Sequence, residues 1–257
     1  MGLDITGMNI ENNKKYIGSC CGNKFIILDC SDYQLSKKDK SDFAKENIVK
    51  NEVDSALFFT KNKDSSFFLE IFEKDGSESE SCGNGLMLIS YLLGLGKEMI
   101  VMKNGSTVAE SSPDKQILSM DVRTSHIEEI GEENKCLFVK MGEPHMVYFV
   151  DDVNKFDLAE IGKKMQKNYP EGVNVDAVEK VDEFHYLIRT YERGVFAETE
   201  SCGTGSLSSY IAISHLHDKI YTEPIEFKSK GGIHFVSKNK NVIKLETLKK
   251  FCEISVL

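Results

Sequence analysis

Short apolar runs broken by polar punctuation dominate this chain. KFIILDC, SALFFT, SFFLEIF, CLFVKM, HMVYFVDD, FHYLIRTY, IEFKS and IHFV are rich in β-branched or aromatic residues and bounded by Gly, Asn, Asp or Ser, which predicts strands. The pattern changes to helical spacing in GLMLISYLLGL (85–95) and SLSSYIAISHL (206–216). Both are apolar enough to predict buried central helices. FDLAEIGKKMQKNY (156–169) predicts a third, amphipathic helix with Leu158, Ile161 and Met165 on one stripe and lysines opposite. Strands that outnumber helices, with no strict alternation of the two, give an α+β fold.

The pattern repeats at an offset of 120 residues (202 − 82 = 120). ESESCGNG at 78–85 matches ETESCGTG at 198–205 in six of eight positions. The same offset lays Gly22-Asn23-Lys24-Phe25 over Gly142-Glu143-Pro144-His145, Val53-Asp54 over Val173-Asn174, and Ile71-Phe72-Glu73 over Tyr191-Glu192-Arg193. One register held across four segments predicts two pseudo-symmetric domains, each a mostly antiparallel sheet wrapped around its central helix, with a site at their interface. The halves are expected at 1–123 and 124–248, with a seam near 122–126 and a closing strand at about 249–257 returning to the first half.

Composition narrows the function. With 257 residues, 40% hydrophobic and 28% charged, the chain reads as globular. Its net charge of −9 disfavours a nucleic-acid partner, whose phosphates need a basic face. No stretch reaches the length of a membrane span, and MGLDITGMNIENNKK lacks the apolar core of a secretory signal, so a cytoplasmic protein is expected. Seven cysteines (20, 21, 30, 82, 136, 202, 252) show neither a disulfide framework nor a CxxC metal spacing, and no metal site is expected. Cysteines 20, 21, 30, 136 and 252 are assigned to packing. His126, His185, His215, His217 and His234 fit no ligand pattern, and GLGKE (94–98) reads as the cap of the helix it ends rather than a phosphate loop.

The duplicated Cys-Gly-x-Gly carries the chemistry. Cys82 and Cys202 each precede a helix whose first N–H groups form an anion site that glycines leave open. A helix N-terminus is also expected to lower a thiol's pKa toward the thiolate. Two such units face to face clasp a carboxylate and set one sulfur on each side of an α-carbon. One thiolate then removes the α-proton and the opposite thiol returns one, inverting the centre. A thiol redox protein using Cys82 and Cys202, and a ligand-binding protein without chemistry, are the alternatives from other classes.

GNKF (22–25), FEKDGSESESCGNG (72–85), GEPH (142–145), GVNV (172–175), YERG (191–194), ESCGTG (200–205) and KGG (230–232), in this order, resemble diaminopimelate epimerase and its cofactor-independent amino-acid racemase relatives along nearly the whole chain. The resemblance implies that Cys82 and Cys202 are the acid/base pair and that Gly83-Asn84 and Gly203-Thr204 offer backbone N–H groups to the substrate carboxylate. It places Asn23 on the α-amino group, Glu192 and the backbone at Arg193 on the substrate, and His145 near a catalytic thiol. Asn174 and Arg193 match residues that reach the far end of diaminopimelate. The resemblance further implies a homodimer and no cofactor. Glu73 and Glu143 stand where the epimerase has asparagines. Two carboxylates there repel a distal carboxylate and suit a basic side chain, with histidine first, then ornithine, lysine or arginine; diaminopimelate is the alternative substrate.

Overall fold

The computed structural model describes residues 14–94, 96–103, 105–122, 125–130, 136–169 and 171–257. The chain runs β1 (Lys15–Cys20), β2 (Asn23–Asp29), α1 (Lys37–Asn51), β3 (Ser55–Lys61), β4 (Phe67–Glu73), β5 (Glu78–Ser79), α2 (Gly83–Leu93), β6 (Gly96–Met102), β7 (Gly105–Ser111) and β8 (Lys115–Asp121). The series then recurs as β9 (His126–Glu129), β10 (Cys136–Met141), β11 (Glu143–Val150), α3 (Leu158–Asn168), β12 (Asn174–Lys180), β13 (His185–Glu192), β14 (Ala197–Thr199), α4 (Gly203–Leu216), β15 (Ile225–Lys228), β16 (Ile233–Asn239), β17 (Val242–Leu248) and β18 (Cys252–Val256). Pairings run β18-β1-β2-β3-β4-β6-β7-β8 on one side and β9-β10-β11-β12-β13-β15-β16-β17 on the other. The series join where β8 and β17 lie antiparallel, Leu118 opposite Leu245. Each curl is mixed: β2–β3 and β4–β6 are parallel, as are their counterparts β11–β12 and β13–β15, and the other pairs are antiparallel. β9 opens the second series by pairing with β10, whereas β18 follows β17 but pairs with β1, so the first series takes its outer strand from the second. The seam expected near 122–126 includes residues 123 and 124, and the N-terminal segment read for a signal includes residues 1–13; both lie outside the described residues.

Strand sequences read as near-continuous apolar runs because both faces are covered. Phe25, Ile27, Leu57 and Phe59 turn inward onto α2, whereas Ile26, Leu28, Ala56 and Phe58 turn outward onto Ala44 and Ile48 of α1. In the second series α4 lies within the curl and α3 covers its back through Leu158, Val175, Ala177 and Tyr191. Helix α1 escapes the sequence reading because its buried stripe is Lys40, Ala44 and Ile48, whose first member is a lysine ion-paired to Glu70. Its start is written in a capping box: Asp39 N–H donates to Ser36 Oγ and Ser36 N–H to Asp39 Oδ2, at 3.2 and 3.0 Å. Gly94 ends α2 at φ 93°, a conformation glycine adopts without a Cβ penalty.

Candidate active site

Both repeated cysteines are helix N-caps. Cys82 Sγ accepts from Gly85 N–H and Cys202 Sγ from Gly205 N–H, each at 3.4 Å. The N–H groups of Gly83 and Asn84, and of Gly203 and Thr204, therefore fall at the first two helical positions, ahead of the intrahelical ladder. The two helix starts abut: a Cβ built on Gly83 would lie 3.2 Å from Gly203 Cα, and one on Gly203 3.2 Å from Gly83 Cα. Leu245, beside the β8–β17 junction, packs under both glycines. Of the candidate residues named from the sequence, all but His145 line one small cavity at this meeting point. The cavity wall also includes Ser79, Ser81 and Ser201 from the repeated cysteine motifs and Asp54 from the repeat register, none of which was singled out as a site residue, and Ser55, which carries no motif signal.

Behind the walls the two sides differ. On the α4 side Thr204 Oγ1 is 3.3 Å from Cys202 Sγ and 2.9 Å from His145 Nε2. His145 Nδ1 is 2.7 Å from Asp176 Oδ2, and Asp176 Oδ1 accepts from Thr190 Oγ1 at 2.6 Å. A proton on Nδ1, facing the carboxylate, leaves Nε2 as the acceptor for the Thr204 hydroxyl, whose oxygen can accept from the Cys202 thiol. On the α2 side the positions matching Thr204, His145 and Asp176 at the same offset are Asn84, Phe25 and Ala56, and no such chain exists. Asn84 instead donates to Asn23 Oδ1 (2.7 Å) and Ser201 Oγ (2.8 Å) while its Oδ1 lies 3.0 Å from His234 Nε2. His234 is thus part of the scaffold behind the cavity, and Asn23 is held there by Asn84 and Ser201.

The distal residues are tied mostly to one another. Glu143 Oε1 accepts from Glu80 N–H (3.0 Å) and Ser81 N–H (2.9 Å), and Oε2 pairs with Arg193. Arg193 also donates to the Glu171 carbonyl at 2.9 Å, and its own N–H donates to Asn174 Oδ1 at 2.9 Å. Of the two acidic positions, Glu143 is the one paired with Arg193, and it bridges β11 to the segment before Cys82. Glu73 accepts from Ser55 Oγ at 2.9 Å, with the Ser79 hydroxyl as a second donor.

Electrostatics overturn one expectation, that of lowered thiol pKa values. Burial pushes both thiols well above the usual cysteine range, and the Glu192 carboxylate adds to it at each; Asp176 adds further at Cys202. The helix N–H groups act the other way and are outweighed. Desolvation thus wins over the helix terminus in this enclosed cavity. Burial likewise raises Glu192 to about 7, against the hydrogen bond from Thr199, with Asp54 and Asp176 assisting. Glu73 is pushed up to about 8 by burial, against the Ser55 hydrogen bond, with Glu192 and Glu143 adding repulsion. Among the described residues no cluster of three or more His, Cys, Asp or Glu side chains is arranged to hold a metal, and no helix is long and apolar enough to cross a membrane.

A duplicated α+β curl with two thiols capping abutting helix starts defines an isomerase of the epimerase and racemase class. The family model for diaminopimelate epimerase matches residues 137–247. The chain is 32% identical over 239 residues to the diaminopimelate epimerase of Methanocella arvoryzae, covering 78% of this chain and 83% of that one. It is 30% identical over 240 residues to that of Thermotoga maritima, covering 91% and 98%. A hydroxyproline epimerase from Agrobacterium vitis, solved with trans-4-hydroxy-L-proline bound, has the same fold at a TM-score of 0.66 and 12% identity, covering 95% of this chain and 90% of that one. The chain belongs to the diaminopimelate epimerase family.

Proposed function

We propose that this protein inverts the α-carbon of a basic amino acid, histidine first, by proton transfer between Cys82 and Cys202 without a cofactor. The observation that carries the reading is the contact of Gly83 with Gly203, which brings two cysteine-capped helix starts to one cavity. Four backbone N–H groups there suit the substrate carboxylate and the extra negative charge that builds on it when the α-proton leaves. The α-ammonium would settle against Glu192, which reaches the Cys202 thiol and repels charge on both sulfurs. That positive charge offsets the repulsion, so substrate binding itself lowers the cost of a thiolate. One sulfur takes the α-proton, and the opposite sulfur gives its own proton to the other face. The two thiols exchange protonation states with each inversion.

Glu73 supports a basic distal group, since it is the distal carboxylate left unpaired by arginine. A distal carboxylate would have to displace Glu143 from Arg193. Diaminopimelate is the second reading, favoured by the retained Asn174 and Arg193 and by the relatives. Incubation in heavy water with L-histidine, ornithine, lysine, arginine or LL-diaminopimelate tests both, read as α-deuterium incorporation and loss of optical rotation. Inversion surviving in Cys82→Ala or Cys202→Ala ends the two-thiol scheme; exchange on diaminopimelate alone ends the basic-substrate reading.

A further inference from the structure

Three of the cysteines assigned to packing gather at one place outside the cavity. Cys20 of β1 faces Cys252 of β18 as a direct cross-strand pair, with the sulfurs 2.8 Å apart. The next pair in the register, Cys21 and Phe251, is joined by a backbone hydrogen bond of 2.9 Å. Hydrogen-bonded and open pairs alternate along an antiparallel ladder, so Cys20 and Cys252 occupy an open pair, where Cα atoms approach to about 4.5 Å. That spacing falls inside the range a disulfide spans, about 4.4 to 6.8 Å. Cys21 turns aside instead: its sulfur is 3.2 Å from Thr247 Oγ1, and its residue lies in the turn at φ 49°.

We propose that Cys20 and Cys252 are a reversible oxidation site, forming a disulfide that staples β18 to β1. The chemistry balances with a hydroperoxide as the oxidant. It converts one thiolate to a sulfenic acid and leaves as an alcohol or water; the second thiol attacks that sulfur, the S–S bond forms and water departs. Two thiols lose two electrons and two protons, and one hydroperoxide is reduced. Both sulfurs are buried while β18 is docked. Among the described residues, however, β18 pairs with β1 alone, and local opening of a strand held on one side admits a small oxidant more readily than opening of the core. The bond would close a loop spanning 232 residues, which restricts the unfolded chain strongly. β1 leads through Cys21 and Gly22 to Asn23, and the Cys21 carbonyl accepts from Ser201 Oγ at 2.6 Å, so the staple secures the strand from which one cavity wall departs. With β18 docked, burial and the Cys21 and Cys252 thiols hold Cys20 well above the usual cysteine range, so its thiolate forms on opening. The hydrogen bond from Cys20 lowers Cys21 to about 4, against burial and with help from His234, which makes Cys21 the competitor for oxidant.

The test treats the full chain with hydrogen peroxide and digests it with trypsin under non-reducing conditions. Cys20 and Cys21 share the peptide YIGSCCGNK, and Cys252 lies in FCEISVL. The expected result is these two peptides joined with loss of two hydrogen atoms, fragmentation placing the bond at Cys20. Tm should rise by about 5 °C or more and return to its starting value with dithiothreitol. Cys252→Ser should abolish both effects and Cys21→Ser should keep both. A bond at Cys21, a bond between Cys82 and Cys202 in its place, or peroxide treatment that leaves these peptides unlinked would overturn the assignment.

Discussion

His145 and Asp176 meet through Nδ1 and Oδ2 at 2.7 Å with both side chains sealed from solvent. The contact fixes which ring nitrogen faces Thr204 and hence which way a proton on Cys202 can travel. Asp176→Asn keeps the shape but offers an amide N–H to Nδ1, turning the ring's acceptor away from Thr204. The expected outcome is a fall in kcat of about 10²-fold or more with a small change in KM. Measuring kcat from each enantiomer against pH separates this from a loss of folding, because only a positioning role moves the profile while far-UV circular dichroism stays unchanged.

Glu192 and Glu73 make stability depend on pH in a stated direction. In the unfolded chain a glutamate ionises near 4.3, whereas here the two titrate at about 7 and about 8. The folded state therefore holds extra protons across that window. Their contribution is complete below the unfolded value and is lost as pH rises through the folded values. Glu73→Gln removes one such group. Its Tm relative to the parent should climb between pH 5 and pH 9, by about 5 °C at the alkaline end for an effect on the order of a few kcal/mol. A Tm difference that is flat in pH would show that Glu73 ionises normally.

What the sequence disclosed depended on how local each signal was. Strands β2, β3, β4 and β11 announce themselves through apolar runs, and α2 and α4 through a helical pattern directly after each Cys-Gly-x-Gly. The offset of 120 holds in the structure, with Asn23 and Glu143 opening β2 and β11 and Gly83 and Gly203 opening α2 and α4. Helix α1 was hidden by a lysine on its buried stripe. Strand β6 (GKEMIVM) opens on polar, exposed residues and carries a weak pattern, whereas β17 (VIKLETL) alternates buried and more exposed positions but is not one of the continuous apolar runs read as strands. Local signals could name Arg193 as a partner for either Glu73 or Glu143 but could not choose between them, 50 residues separating Arg193 from Glu143, and they could not show that burial would override the helix termini at both thiols.

The abutting glycines lead to a separate prediction. A methyl group on Gly203 meets Gly83 Cα at 3.2 Å and the Leu245 side chain at 2.9 Å. Leucine can yield, but the facing backbone cannot without parting the helix starts. Gly203→Ala should therefore cost about 10²-fold in kcat/KM, since small displacements of reacting groups are expensive, while lowering Tm by only a few degrees. Retention of full kcat/KM would mean that the spacing of the two starts does not govern the reaction.

Selectivity turns on whether Arg193 is free. At present Glu143 occupies it, and Glu73 adds a second acidic oxygen pair to the cavity wall. Replacing both by asparagine, Glu73→Asn with Glu143→Asn, restores neutral amides beside an unpaired guanidinium, which then favours a distal carboxylate. The amide introduced by Glu143→Asn would still present a side-chain carbonyl for the Glu80 and Ser81 N–H groups that Glu143 Oε1 accepts now, although from a shorter side chain. The ratio of α-deuterium incorporation into diaminopimelate over histidine should shift toward diaminopimelate by at least about tenfold, equivalent to about 1.4 kcal/mol. Glu143→Asn alone should give part of that shift, because Glu73 would still oppose the incoming carboxylate. An unchanged ratio in the double variant, with the Tm preserved, would move the seat of selectivity away from these two positions and toward residues such as Val195 that line the same cavity.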